Sequence, residues 1–193
     1  MAMVAEKLEY YTYGDYLKFD DDIRCELING VIYNMASPST THQRIAGEIW
    51  ALLREFLKGR RCEAFIAPLD VRLNADKNDD TVVQPDLMVL CDKNKLDPKD
   101  RGIIGAPDMV VEVLSPSSGY VDRVLKMKKY QEAGVKEYWI VDPDRSTVDV
   151  NILENNKYYV RSYGNSDLVP VQTLPGLDIN LGEVFLLDDF HGE

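Results

Sequence analysis

The chain has 193 residues, the length of one compact domain spanning residues 1–193, and no stretch reads as a linker, repeat or low-complexity tract. With His42 and His191 as its two histidines it has no multi-histidine metal site, and no apolar run approaches the roughly 18 residues of a membrane-spanning helix. The formal charge of -11 disfavours nonspecific adhesion to nucleic acid, although a local cationic patch or bound divalent cations neutralise phosphates while the rest of the surface stays acidic. Cys25, Cys62 and Cys91 are odd in number and lack a CxxC spacing, which points to a reducing cytoplasm and a fold that needs no staple. The opening MAMVAEKLEYY lacks the basic and apolar regions of an export signal.

Residues 10–19 predict a short helix, with Thr12 as N-cap and Asp15 completing a capping box, before the polar loop of Asp20, Asp21 and Asp22. In residues 25–35, CELINGVIYNM, Asn29 and Gly30 separate two β-prone runs and signal a hairpin, with Glu26 on its first strand. SPSTT then supplies hydroxyl caps for a helix whose Ile45, Ile49, Leu52, Leu53, Phe56 and Leu57 recur at helical spacing up to a stop at Gly59. Residues 62–73 read as two short strands interrupted at Pro68, followed by a polar loop over 74–80. Residues 81–90, TVVQPDLMVL, read as one strand in which Gln84 and Asp86 share a face and Pro85 marks a bulge or edge. After the polar loop 92–101, a strand around Glu112, a helix over 119–133 closed by Gly134 and a strand over 137–141 make a right-handed βαβ crossover with parallel strands. A β-meander ends the chain.

The chemistry concentrates where acids interrupt apolar strands. Asp86 and Glu112 stand among Val, Leu, Met and Ile, where a carboxylate loses solvation unless a cation or a function compensates. Two such acids on neighbouring strands can share one Mg²⁺, or Mn²⁺, whose remaining positions go to waters and phosphate oxygens; the bland alternative is a strand-end acid facing solvent. Asp108 is no partner for Glu112, because four residues along one strand separate them by about 13 Å. A hydrolytic site also needs a group that orients water or balances charge, and the following helix offers Arg123, Lys126, Lys128 and Lys129. For Lys126 the competing reading is an ordinary i, i+4 ion pair with Asp122. His42, in the first turn of its helix, either touches a phosphate or a carboxylate or simply caps a surface turn, and Glu26 either completes the acidic cluster or is exposed. The tyrosines at 10, 11, 13 and 16 are candidates for base stacking, or for core and interface packing. His191 carries no signal.

At ELINGVI with Glu26, SPSTTH with His42, VVQPDLMVL with Asp86, VVEVLSPSS with Glu112, the trio Asp122, Lys126 and Tyr130, and GVKEYWIVDP, the chain resembles the Uma-two type of restriction endonuclease, a branch of the PD-(D/E)XK nucleases. The resemblance covers nearly the whole chain. It implies an α/β (α+β) fold with a restriction-endonuclease-like core, a mixed β-sheet flanked by helices, to which the hairpin and the meander are additions. It also implies Asp86 and Glu112 as metal ligands, the backbone carbonyl of Val113 as a further ligand, and Glu26, His42 and Gln84 in support. The wider superfamily has its lysine two residues after the second acid, where this chain has Leu114, and the resemblance supplies it instead from the helix, as Lys126 or else Lys128 or Lys129. The implied activity is Mg²⁺- or Mn²⁺-dependent hydrolysis of phosphodiesters in nucleic acid, DNA foremost, by a cytoplasmic protein with no membrane association that forms a homodimer. The alternatives are a nuclease fold that binds without cutting and a hydrolase of small phosphate esters; a basic groove beside Asp86 and Glu112 favours nucleic acid, an enclosed pocket a small substrate.

Overall fold

A computed structural model describes residues 9–186 apart from 21, 22, 76, 100 and 117, so the export reading of residues 1–8, Asp21, Asp22 and His191 lie outside the described residues. The capping box at Thr12 is present: its backbone N–H and its Oγ1 both donate to the Asp15 carboxylate, at 3.1 and 2.8 Å. Helix α1 is nonetheless only Tyr13–Tyr16, shorter than the expected 10–19. The Tyr11 N–H donates to the Gly30 carbonyl and the Tyr13 N–H to that of Asp79, which pins the segment to neighbouring loops rather than to a helical ladder.

Strands β1 (Cys25–Ile28) and β2 (Val31–Asn34) form the expected hairpin. Asn29 and Gly30 have φ of 52° and 75°, the pair of positive values a type I′ turn requires. A Cβ on Gly30 would lie 2.3 Å from the Tyr10 ring, so glycine is needed there for space as well. Helix α2 (Thr40–Leu57) starts where Ser39 Oγ accepts the His42 N–H at 3.1 Å, and it buries Ile45, Ile49, Leu53 and Leu57 along one stripe. Strands β3 (Glu63–Ile66) and β4 (Val71–Arg72) follow, separated by the cis peptide at Pro68.

Residues 81–90 correct the sequence reading, because they form two strands in two different sheets: β5 (Val82–Val83) and β6 (Leu87–Leu90). Pro85 has no N–H to give a ladder, and the chain uses that break to pass from one sheet to the other. After a short 3₁₀ turn at Lys93–Lys95 come β7 (Ile103–Ile104), β8 (Met109–Val113), a π-helical stretch at Val121–Lys126 that runs into α3 (Met127–Ala133), and β9 (Glu137–Asp142). Gly134 closes the helix in the left-handed conformation. The C-terminal part comprises β10 (Thr147–Glu154), β11 (Lys157–Gly164), β12 (Leu168–Pro170), β13 (Asp178–Asn180) and α4 (Leu181–Val184). Of the predicted meander, β10 and β11 extend the large sheet, whereas β12 and β13 make a separate ribbon.

One sheet runs β2-β1-β5-β4-β7 and the other β11-β10-β9-β8-β6-β3, a mixed α/β architecture with helices against the sheets. β8 and β9 are parallel, as the crossover predicts. In the six-stranded sheet the alternation of side chains sorts the core into two layers. Leu87, Val89, Val111, Val113, Trp139 and Val141 pack with α2 on one face, whereas Met88, Val110, Tyr138 and Ile140 pack with Tyr130 of α3 on the other. Glu112 has the parity of Val110, so it lies on the α3 face.

Cys62 and Cys91 are joined by a disulfide, against the expectation of a fold without staples. The antiparallel register of β3 on β6 pairs Glu63 with Leu90, so the next residues outward face each other although 29 positions separate them. The cysteine pattern therefore gives no support to a reducing compartment. Cys25 remains a free, buried thiol. Among the described residues no helix is long and apolar enough to cross a membrane.

Candidate active site

The register of β6 on β8 pairs Leu87 with Val111, and one step further out sets Asp86 beside Glu112. The Asp86 carboxylate accepts the Val113 N–H at 2.8 Å, and its Oδ2 lies 3.1 Å from Nε2 of His42, which the first turn of α2 points at it. Glu112, only 3% exposed, accepts hydrogen bonds at Oε1 from Lys126 Nζ at 2.9 Å and from the Tyr130 hydroxyl at 2.7 Å. Glu26 arrives from the other sheet. Its Oε1 lies 2.8 Å from Lys126 Nζ and accepts the Gln84 N–H, also at 2.8 Å.

Lys126 is thus the centre of the cluster, because Asp122 Oδ1 stands 3.3 Å away on its remaining side. The i, i+4 pair with Asp122 expected from spacing exists, but it is buried and is one of three carboxylate contacts. The π-helical stretch carries both residues; such widened turns leave carbonyls without their α-helical donor and recur at functional sites. The Asp122 carbonyl is served by the Tyr138 hydroxyl at 3.1 Å. Lys128 and Lys129 are instead paired with Glu132, at 3.8 and 2.6 Å, which leaves Lys126 as the helix lysine at the acids.

Electrostatics follow from crowding acids around one ammonium group in a dry place. Burial would pull the Lys126 pKa down, but Glu112, Glu26 and Asp122 outweigh it and hold the group well above its ordinary value, fully protonated. Burial pushes Glu112 well above the ordinary carboxylate range, and although Lys126 pulls it down, Asp122, Asp86 and Glu26 add to the upward push. Lys126 can neutralise only one of the acids it touches. A further cation or a proton is what the cluster lacks. At His42 burial acts downward, yet the Asp86 carboxylate and the Val113 backbone raise the pKa overall, which favours an imidazolium against Asp86. His42 Nδ1 is buried without a hydrogen-bond partner.

Glu26, His42, Asp86, Glu112, Asp122 and Lys126 line a cavity of about 840 Å³, together with the exposed Arg24, whereas Tyr130 supports Glu112 from behind the wall. Gln84 does not belong to it. The Pro85 break turns its side chain into a neighbouring cleft, where Nε2 donates to Asp70 at 2.9 Å, and only its backbone N–H serves the site through Glu26. Asp108 lies apart, accepting the Cys91 N–H and paired with Lys136 at 2.6 Å. Arg123 is taken by Asp142 and Asp149. Sequence reading had Asp122 as an ordinary ion-pair partner of Lys126 and gave Tyr130 no role, although their spacing four residues either side of Lys126 was the signal that the three belong together; Asp122 contacts Lys126 and Tyr130 holds Glu112. Arg24 had no signal at all.

Among the described residues no cluster of three or more His, Cys, Asp or Glu side chains forms a ready metal cage. The donors that are present, the carboxylates of Asp86 and Glu112 and the backbone of Val113, are hard oxygens of the kind Mg²⁺ and Mn²⁺ take. Mg²⁺ is ordinarily bound by one or two protein carboxylates, with waters and substrate phosphate completing its shell. The acid excess around Lys126 fits the same ion.

Fold and cavity together define a mixed α/β domain with a buried acid and lysine centre at the end of a parallel strand pair. The chain belongs to the Uma2 family, described as "Putative restriction endonuclease", whose model matches residues 9–182. It is 28% identical over 166 residues to "Uncharacterized protein slr1290" of Synechocystis sp., covering 83% of this chain and 84% of that one. A second Synechocystis protein, "Uncharacterized protein sll1609", is 27% identical over 143 residues, covering 72% and 79% respectively. Among solved structures, a crystal structure from Anabaena variabilis ATCC 29413 described as "a putative nuclease belonging to DUF820" superposes with a TM-score of 0.74 at 23% identity, over 91% of this chain and 97% of that chain. That likeness establishes the restriction-endonuclease-like fold.

Proposed function

We propose that this protein is a divalent-cation-dependent nuclease that hydrolyses phosphodiester bonds, with DNA as its substrate. The observation that carries the reading is Lys126 Nζ, buried and 2.9 Å from Glu112, in a cavity that Asp86 enters from the adjacent strand. Asp86 and Glu112, with the Val113 carbonyl, would hold Mg²⁺ or Mn²⁺, which when bound polarises a phosphate and acidifies water. Lys126 keeps its proton in this setting, so it stabilises negative charge growing on the phosphate and orients the attacking water rather than deprotonating it. The Tyr130 hydroxyl fixes Glu112, and His42 fixes Asp86, so that both carboxylates keep one orientation as substrate arrives.

The cavity wall also gives a specific reason to carry a second substrate class. Arg24 and Lys126 face Glu26, Asp86, Glu112 and Asp122, which is not a basic groove, and a compact phosphate diester suits such a wall. The test is incubation of the purified protein with single- and double-stranded DNA and RNA, and with a chromogenic phosphate diester, in the presence of Mn²⁺. Cleavage of DNA is expected from the wild type and not from Glu112→Gln or Asp86→Asn, with calorimetric Mn²⁺ binding lost in both variants and their circular dichroism unchanged. Turnover of the diester alone would move the assignment to small esters, and absence of both cleavage and Mn²⁺ binding in the wild type would end the hydrolase reading.

A further inference from the structure

The acid cavity does not end at its acids. Arg24 and Pro68 line both it and a second cleft of about 400 Å³, whose walls include Tyr16, Phe19, Asp70 and Gln84. The two spaces therefore meet at an exposed guanidinium. One wall of the second cleft is aromatic: the half-buried rings of Tyr16 and Phe19 stand 6.4 Å apart at 87°, with the exposed apolar side chains of Leu17 and Ile23 beside them. The facing wall is rich in acceptors. The Asp70 carboxylate accepts from the Tyr16 hydroxyl at 3.2 Å and from Gln84 Nε2 at 2.9 Å, and Gln84 Oε1 is buried with no hydrogen-bond partner.

An aromatic wall beside hydrogen-bond acceptors suits a nucleobase: with the two rings perpendicular, one offers a face for a base to stack on and the other an edge, and the edge of the base supplies the N–H donors. Guanine suits this wall best, because its ring N–H and exocyclic amino group lie side by side on one edge and converge on a carboxylate. Adenine, cytosine and uracil each offer a poorer donor set to the same acceptors.

We propose that the second cleft is a nucleobase subsite selective for guanine, and that Arg24 holds the phosphate linking that nucleotide to the one whose phosphodiester enters the acid cavity. This deepens the nuclease reading and rests on it for the direction of the strand, but recognition of the base is measurable without any cleavage. Binding of GMP, IMP, AMP, CMP and UMP to the full chain, titrated by calorimetry without divalent metal, is the test. GMP is expected to bind at least about tenfold more tightly than AMP, CMP or UMP, with IMP between because it lacks the exocyclic amino group. Asp70→Asn should bring the GMP and AMP affinities together, and Phe19→Ala should weaken both nucleotides about tenfold while keeping their ratio. Equal affinities for all five nucleotides, no binding of any, or a guanine preference that survives Asp70→Asn would each overturn the subsite. Guanine selectivity in a protein that cuts nothing refutes the nuclease reading alone, and Glu112-dependent cleavage with no base selectivity refutes the subsite alone.

Discussion

Lys126 sits 2.8 Å from Glu26, 2.9 Å from Glu112 and 3.3 Å from Asp122, almost out of water. Removing one partner of such a group strands the rest, because a buried charge without compensation costs about 3–5 kcal/mol. Lys126→Met is therefore expected to lose turnover, to keep Mn²⁺ binding, and to be destabilised by about that amount, with added Mn²⁺ restoring part of the loss. Urea denaturation with and without Mn²⁺ measures it; a variant as stable as the wild type would show that the acids had taken up protons instead. At this scale the sequence was partly legible. Glu112 and Asp86 stood out because each breaks an apolar run, and Lys126, one of several basic residues on the helix that follows Glu112, emerged through the family resemblance. Glu26 was ambiguous, since the partner that explains its burial comes from a helix some hundred residues on, and no local pattern encodes that meeting.

Helix α2 delivers His42, and its first turn depends on Ser39, whose hydroxyl accepts the His42 N–H. Ser39→Ala removes that cap at a cost of about 1 kcal/mol and loosens the turn that aims His42 at Asp86. The expected result is a lower urea midpoint at an unchanged denaturant slope, with weakened Mn²⁺ affinity if the aim of His42 matters to Asp86. Elements whose signals are local were readable in this way: the Asn29 and Gly30 turn, the hydroxyl caps of α2, the glycine that ends α3 and the parallel crossover. The Val121–Lys126 stretch was legible only as helix, because six residues are too few for the wider period of a π-turn to show in the apolar spacing. The strand predicted over 81–90 failed for a different reason. Its residues are uniformly strand-like, and whether a break at Pro85 stays within one sheet or leads to another is decided by distant partners. The Cys62–Cys91 bond was hidden by the same non-local register.

Across the whole molecule the large sheet is tied at its far end by Asp108, which joins the end of β6 to the start of β9 through the Cys91 N–H and the Lys136 ammonium. Burial pushes the Asp108 pKa up, but Lys136 and the Cys91 N–H prevail and leave it below the ordinary value. A group whose folded pKa is depressed contributes stability above its unfolded pKa, near 4 for aspartate, and loses it as pH falls through the folded value. The stability gap between wild type and Asp108→Asn should thus be constant from pH 7 to about 5 and close below about pH 4, as followed by urea unfolding at stepped pH. The near end of the sheet is held differently. Glu26 belongs to the five-stranded sheet and Glu112 to the six-stranded one, so the ammonium between them is a clasp across the two halves of the fold as well as a chemical group. Anything that draws Glu112 or Lys126 toward itself, a cation or a phosphate, competes with that clasp, so occupancy of the cavity and the joining of the two sheets draw on the same side chains.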